Sequence, residues 1–129
     1  NVETTDYLIG GFSAGSCTAA TWCDPRYGYE AYSMDKPAAY CSMYGIVEDY
    51  IDKAEVPVFI RFCKNDEYFD HDLPDRYTAI LDEKGIPYDC KVVDCLHGFG
   101  LGTGTEAEGW VKEAEAFWQS LLDKTGKFR

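Results

Sequence analysis

The decapeptide YLIGGFSAGS, residues 7–16, indicates the fold of this chain, because in it an apolar strand runs directly into a serine among small residues. Its centre, GFSAG, fits the pattern G-x-S-x-G of a nucleophile elbow, a sharp strand-to-helix turn with the serine at its tip. Side chains two positions before and after Ser13 would collide in such a turn, and the sequence has Gly11 and Gly15, which lack side chains, at these positions. The motif also occurs by chance in glycine-rich turns around a buried serine, and alone it leaves both interpretations open.

Outward from this stretch, strand-like and helix-like segments alternate along the chain. The helix after the serine ends at Asp24-Pro25, because proline interrupts its hydrogen bonds, and Gly85 ends the next helix. Helical connections between strands imply a parallel sheet covered by helices. We therefore predict an α/β fold with three layers, αβα, and a parallel sheet of about four strands. Strands are expected at 4–12, 38–44, 56–63 and 88–95, and helices at 14–22, at 72–84 and from a capping box at 105–108 to Gly126.

Length and composition fit one small globular domain, because the chain has 129 residues, of which 46% are apolar. It contains no apolar run of about 18 residues or more, so we expect neither a membrane span nor a membrane partner. The net charge of −11 is dispersed and repels phosphate backbones, so no nucleic-acid partner is expected either.

The six cysteines are interpreted as reduced structural thiols. They form no C-x-x-C pair and have no pair of histidines nearby, so we expect no metal site and no cofactor. Free cysteine behaves as a small apolar residue, which fits Cys41, Cys63 and Cys90 in strand-like runs. This cysteine usage indicates a cytoplasmic protein. The remaining cysteines are Cys17, Cys23 and Cys95.

Three residues suited to acyl transfer follow predicted strands. Ser13 comes after the first strand, Asp66 after the third and His97 after the fourth. The carboxyl ends of parallel strands meet at one edge of a sheet, so these side chains are expected on loops at the same edge. A nucleophilic serine needs a base to accept its proton, and the base needs an acid to orient it.

Neighbouring residues leave alternatives open at this edge. Asp70 and Glu67 lie close to Asp66, which is favoured because it follows the strand directly, and Asp70 is the next candidate. His71, the other histidine, lies in an acidic turn before a helix and is interpreted as solvated. As ordinary structural residues, Asp66 would form a turn and His97 would bond to loop backbone.

With these residues in the order Ser, Asp, His, the chain resembles the C-terminal half of an α/β-hydrolase, in the esterase and acetyl-esterase, lipase-like branch. The matching segments are 11–16, 56–66, 85–87 and 97–100. The resemblance covers nearly the whole chain, so residues 1–129 are expected to form a single partial α/β-hydrolase domain.

The resemblance implies a role for each residue of the site. Ser13 would be the nucleophile, His97 the base and Asp66 the orienting acid. The backbone N–H of Ala14 would be one donor to the oxyanion. The substrate would bind in an open site flanked by Phe12, Tyr44, Tyr68 and Phe99.

The implied activity is serine-dependent hydrolysis of a carboxylic ester through an acyl-enzyme. The expected substrate is a small-molecule ester, such as a short-chain acyl or acetyl ester of a sugar. One alternative is a serine peptidase that uses the same triad on a peptide bond. Another is a non-catalytic fragment or interaction module that retains a hydrolase-like half-sheet.

The sequence departs from the family pattern at one place. Family members carry earlier strands and an HGGG-type loop that donates the second oxyanion N–H, and this chain contains no such motif. Its first strand is apolar at residues 7–9 and is therefore expected in the middle of a sheet. We expect a second chain, the N-terminal half, or a homodimer to complete the sheet.

Overall fold

The computed structural model describes residues 6–45 and 55–125 of the chain. Their strands and helices follow one another in the predicted order, with one short 3₁₀ helix added in the loop before the second strand. The elements are β1 (Leu8–Phe12), α1 (Ala14–Trp22), the 3₁₀ helix (Glu30–Tyr32), β2 (Ala39–Met43), β3 (Val58–Cys63), α2 (Leu73–Lys84), β4 (Tyr88–Val93) and α3 (Trp110–Thr125).

The four strands form one parallel sheet in the order β1-β2-β3-β4. Every residue of β2 and β3 is buried, as expected for inner strands of a parallel sheet that helices cover on both faces. The carboxyl ends of all four strands therefore lie along one edge. The predicted α/β fold with a parallel sheet is confirmed.

Buried side chains form two clusters, one on each face of the sheet. Successive side chains of a strand point to opposite faces, so Ile60 belongs to one cluster and Phe59 to the other. The first cluster includes Ala19, Ala20, Leu73, Tyr77 and Leu81, which come from α1 and α2. The second includes Ala114, with Phe117 packed against it, both from α3. Helices on both faces give the predicted three layers.

Strand β1 lies at an edge of the sheet among the described residues. Leu8 and Ile9 are half-buried there, with Ile9 packed against the first cluster and Leu8 against the second. The expectation that this strand lies in the middle of a completed sheet concerns a neighbouring segment, and it stays a prediction.

The backbone of β1 has an unpaired side in this part of the chain. The Tyr7 carbonyl accepts a hydrogen bond from Ala38, at 2.8 Å, and the Ser13 N–H donates to Met43, at 2.9 Å, both across to the β2 side. Successive residues of a strand direct their N–H and C=O groups to alternate sides. The backbone groups that face the outer edge are therefore those of Leu8, Gly10 and Phe12.

The last helix begins later than the capping-box pattern predicts. Gly109 has a φ of 87°, and a right-handed helix cannot continue through that conformation, so α3 starts at Trp110. Thr105 Oγ1 instead accepts from the Ala107 N–H, at 3.1 Å, and donates to the Gly102 carbonyl, at 2.7 Å. Its hydroxyl thus stabilises the loop after β4 rather than a helix end.

Arg61 is a buried cation on the α3 side of β3. Its guanidinium donates to Asp89 of β4, at 3.0 Å, and to Glu113 of α3, at 2.5 Å. The guanidinium carbon also lies 3.9 Å from the centre of the Phe59 ring. A buried charge needs such partners, and these join β3, β4 and α3 into one unit.

We expect Glu113→Gln to lower the free energy of unfolding at pH 7, because the buried guanidinium of Arg61 loses a charged partner. The loss should be only about 1–2 kcal/mol, because solvent screens the partly exposed carboxylate. The hydrogen bond with Arg61 lowers the pKa of Glu113, so the carboxylate stabilises the fold above the ordinary glutamate pKa. That stabilisation is lost as the pH falls through the lowered value. Urea denaturation at pH 7 and at successively lower pH measures both effects.

The matched control is Glu115→Gln, an exposed glutamate of the same helix, which should change the free energy of unfolding by about 0.5 kcal/mol or less. A loss for Glu113→Gln that stays constant into the acid range would contradict the role of this ion pair.

Candidate active site

Ser13 occupies a strained turn between β1 and α1. Its φ of 53° and ψ of −123° are angles that residues other than glycine rarely adopt. The hydrogen bond from its N–H to the Met43 carbonyl holds this turn against β2, and its own carbonyl accepts from the Ser16 N–H, at 2.9 Å. Because α1 begins at Ala14, the Ala14 N–H lies in the first turn, where the helix offers no acceptor.

Of the two motif glycines, only Gly11 has too little space around it for a side chain. A Cβ added to Gly11 would overlap the backbone of Gly15 and Ser16, so a glycine is needed where the helix passes close to β1. A Cβ added to Gly15 would meet nothing within 4 Å. The expectation that both glycines remove colliding side chains is therefore wrong for Gly15.

Buried Ser16 anchors the start of α1 to β2. Its Oγ lies 2.6 Å from the phenol oxygen of Tyr40 and 2.6 Å from Ser42 Oγ. The Tyr40 phenol also hydrogen-bonds to the Ser16 carbonyl, at 2.7 Å. Burial raises the pKa of Tyr40, so its phenol stays protonated. A buried polar network whose members have partners rigidifies its surroundings, here the strained serine turn.

Ser13, His97 and Asp66 are joined by two short hydrogen bonds. Ser13 Oγ lies 2.8 Å from His97 Nε2, and His97 Nδ1 lies 2.7 Å from Asp66 Oδ2. The Asp66 side chain is completely buried, and its other carboxyl oxygen accepts the Tyr68 N–H at 3.0 Å. A carboxylate only accepts hydrogen bonds, so Nδ1 of the neutral imidazole carries the proton and Nε2 is free to accept from Ser13.

The alternative acids and the other histidine lie in exposed positions. Glu67, Asp70 and His71 are all exposed, whereas Asp66 is buried and contacts His97. The structure thus brings Asp66, the residue favoured by its place directly after the strand, to the imidazole.

The loop that carries His97 is held in place at Gly100. Four glycines between residues 98 and 104 have positive φ, a conformation that only glycine adopts easily. The Trp110 indole N–H donates to the Gly100 carbonyl at 2.8 Å. Burial raises the pKa of Tyr44, although a hydrogen bond between its phenol and the Gly100 backbone opposes this. Gly100 is thus held from α3 and from the end of β2.

Of the four aromatic residues predicted to flank the site, two contact the imidazole and the other two pack against one of these. The ring centre of His97 lies 5.1 Å from Tyr44 and 4.5 Å from Tyr68. Phe99 and Phe12 pack against Tyr44, with ring centres 4.6 Å and 5.7 Å away. Tyr44 is buried, whereas Phe12 and Tyr68 are 45% and 59% exposed, so the last two present apolar surface to solvent.

Trp110 is a residue of the site that sequence reasoning missed. The helical pattern assigned it to the apolar face of the last helix, but its ring also packs edge-on against Phe12, with 5.7 Å between ring centres. The sequence feature that could have indicated its role is its position directly after a glycine-rich loop. Trp110 is half-buried, and its indole N–H donates to a carbonyl of that loop.

Within the described residues, no group of three or more His, Cys, Asp or Glu side chains is placed to hold a metal ion. None of the helices in the same two ranges is both long and apolar enough to cross a membrane.

Comparison with solved structures identifies the fold. The chain is similar to MGS-M1, an α/β-hydrolase enzyme from a Medee basin deep-sea metagenome library, with a TM-score of 0.67, 20% identity, and coverage of 90% of this chain and 54% of that one. It is also similar to an acetyl ester-xyloside bifunctional hydrolase from Caldicellulosiruptor lactoaceticus, with a TM-score of 0.65, 14% identity, and coverage of 94% and 57%. By sequence, no family model and no curated protein matches the chain.

These similarities confirm the predicted α/β-hydrolase fold. The chain spans 54% and 57% of the length of the two structures, as expected for half of such a domain.

We expect Gly11→Ala to destabilise the fold by about 1–3 kcal/mol, because the added methyl group overlaps backbone that cannot move aside. Gly15→Ala is the matched control. It should be neutral or stabilise by up to about 1 kcal/mol, because alanine favours a helix and its methyl group meets open space. Urea denaturation of the two variants measures the difference, and equal losses of stability would contradict this account of the turn.

Proposed function

We propose that this chain provides the nucleophile, base and acid of a serine hydrolase that cleaves carboxylic esters. The observation that carries the proposal is the pair of hydrogen bonds from Ser13 to His97, 2.8 Å, and from His97 to Asp66, 2.7 Å. Both distances are within the reach that general-base catalysis requires. The strained backbone of Ser13 and the α/β-hydrolase fold support the same assignment.

The proposed reaction has two steps. Ser13 Oγ attacks the ester carbonyl carbon while His97 Nε2 takes its proton, and Asp66 stabilises the imidazolium that forms. The tetrahedral oxyanion accepts a hydrogen bond from the Ala14 N–H. His97 then protonates the departing alcohol. It next deprotonates a water molecule that attacks the acyl-enzyme, and it returns this proton to Ser13 Oγ as the carboxylic acid leaves.

A short acyl group, such as acetate on a sugar, is the proposed substrate class. The exposed ring of Tyr68 lies against the imidazole, and that of Phe12 lies against Tyr44, so both offer apolar contact to the acyl or alcohol part of a small ester. One protein of the same fold is an acetyl ester-xyloside bifunctional hydrolase, which motivates this choice. Rates on p-nitrophenyl esters of rising chain length would define the acyl group, and faster cleavage of peptide than of ester substrates would favour the peptidase alternative.

The second oxyanion donor and a strand beside β1 are proposed to come from an N-terminal half, as a second chain or as part of a longer polypeptide. The outward backbone groups of β1 and the apolar surface beside it, lined by Ile9, Trp22, Tyr27 and Tyr32, are suited to such a neighbour. A symmetric dimer is less suitable, because it would pair β1 antiparallel and still lack the donor loop. Loss of one oxyanion donor typically lowers the rate by about 10²–10³.

We expect Ser13→Ala and His97→Ala each to lower ester turnover by about 10⁴-fold or more, and the double variant to be no worse than either single one, because the residues act as a unit. Asp66→Asn should also lose activity, because the amide favours the wrong tautomer of His97. Hydrolysis of p-nitrophenyl acetate and labelling with a fluorophosphonate probe, located on Ser13 by mass spectrometry, measure these effects.

The chain offers matched controls for two of these changes. His71→Ala and Asp70→Asn alter the exposed histidine and aspartate nearby and should leave turnover and labelling as in the wild type. Wild-type rates in Ser13→Ala would end the hydrolase proposal, and failure of Ser13 to react with the probe in the assembled protein would favour a non-catalytic module.

We expect the outward amides of Leu8, Gly10 and Phe12 to exchange with deuterium as slowly as those of Ile9 and Gly11 in the assembled protein, because a neighbouring strand would accept their hydrogen bonds. In the 14.5 kDa chain alone, only the amides of Ile9 and Gly11, which face β2, should exchange slowly. Light scattering and intact mass give the number and size of the chains. A fully active monomer of this chain with fast outward amides would contradict the proposal.

A further inference from the structure

Two buried cysteines lie beside the proposed acid and base. Cys63 is the last residue of β3, and Cys95 lies two residues beyond the end of β4. Their sulfur atoms are 2.6 Å apart, about 0.5 Å more than the ~2.05 Å of a disulfide bond. The placement follows from the sheet, because Cys63 is paired with Val93 across the β3–β4 register and both sulfurs lie in the core beneath α3. Both residues are free thiols in the structure.

Cys95 is the more accessible of the two thiols. It lines an open surface cavity of about 530 Å³ together with Asp94, Leu96 and Glu106. Cys95 is 8% exposed, whereas Cys63 is 1% exposed. The two carboxylates at the cavity disfavour anionic reagents, so a neutral oxidant is the better match. Burial raises the pKa of both thiols, which keeps the thiolate fraction small and the reaction slow.

We propose that Cys63 and Cys95 are a disulfide-forming pair that covalently joins the loops carrying Asp66 and His97. Cys95 attacks one sulfur of a neutral low-molecular-weight disulfide, which forms a mixed disulfide and releases one small thiol. Cys63 then attacks the Cys95 sulfur, forms the protein S–S bond and releases the second small thiol. The two protein protons end on the released thiols, so the reagent gains two electrons and the protein loses two hydrogens.

The bond would hold the two loops at a fixed separation. Cys63 lies three residues before Asp66, and Cys95 lies two residues before His97. The link spans 32 positions of the chain, so it also restricts the unfolded state. This modification is independent of the proposed ester hydrolysis and is tested without an activity assay.

The first test exposes the native chain to 2-hydroxyethyl disulfide, then blocks the remaining thiols with N-ethylmaleimide in denaturant and maps the peptides. We expect a peptide pair joined through Cys63 and Cys95. Exposed Cys17 should carry only the small reagent, which shows that the reagent was active. Recovery of Cys63 and Cys95 as free thiols from protein whose Cys17 has reacted would overturn the proposal, as would a link to another cysteine.

The second test compares melting temperatures of the oxidised and reduced forms. Oxidation should raise the Tm of the wild type by about 5–10 °C. Cys41→Ala, which removes a buried cysteine of the same core, should keep this rise, whereas Cys63→Ala and Cys95→Ala should lose it. An unchanged Tm in the oxidised wild type would contradict the proposal. If a variant fails to fold, the peptide map of the wild type still shows whether the disulfide between Cys63 and Cys95 forms.

Discussion

The parallel pairing of four strands in chain order is the constraint on which the site depends. It brings all the strand ends to one edge, but Ser13 follows β1 and His97 follows β4, so two strands separate them. At about 4.8 Å between neighbouring strands, the histidine loop must cross roughly 14 Å of sheet edge. Residues 94–96 and the imidazole of His97 make this crossing, and the ring contacts Asp66 after β3 and Tyr44 after β2.

Helix α3 connects the core of the sheet to this long loop. Glu113 binds the guanidinium of Arg61, which ties α3 to β3, and Trp110 at the start of the helix binds the Gly100 carbonyl. A glycine-rich loop loses much conformational entropy when it is ordered, so it needs such anchors to hold His97 within hydrogen-bond distance of Ser13. The ion pair of Arg61 with Glu113 and the position of His97 are therefore linked through one helix.

The strained backbone at Ser13 is maintained by its surroundings. A residue with such angles costs about 1–3 kcal/mol and persists only where neighbouring contacts determine its conformation. Here those contacts are the bond to Met43, the buried hydroxyl network around Ser16 and the space left by Gly11. Each belongs to the junction of β1, β2 and α1, so the serine turn is a property of that junction and not of the five-residue motif alone.

The sequence by itself determined the order of the elements, because periodicity, glycine and proline act locally. It also predicted Ser13, Asp66 and His97 as residues of one site, because each lies on a loop that follows a predicted strand. Only the tertiary structure decided the role of Trp110 and the start of α3, since a glycine of positive φ overrode the capping-box pattern. It also decided the pairing of Cys63 with Cys95, because residues 32 positions apart meet only when β3 and β4 align. Contacts between distant residues depend on strand register and helix placement, which no local pattern specifies.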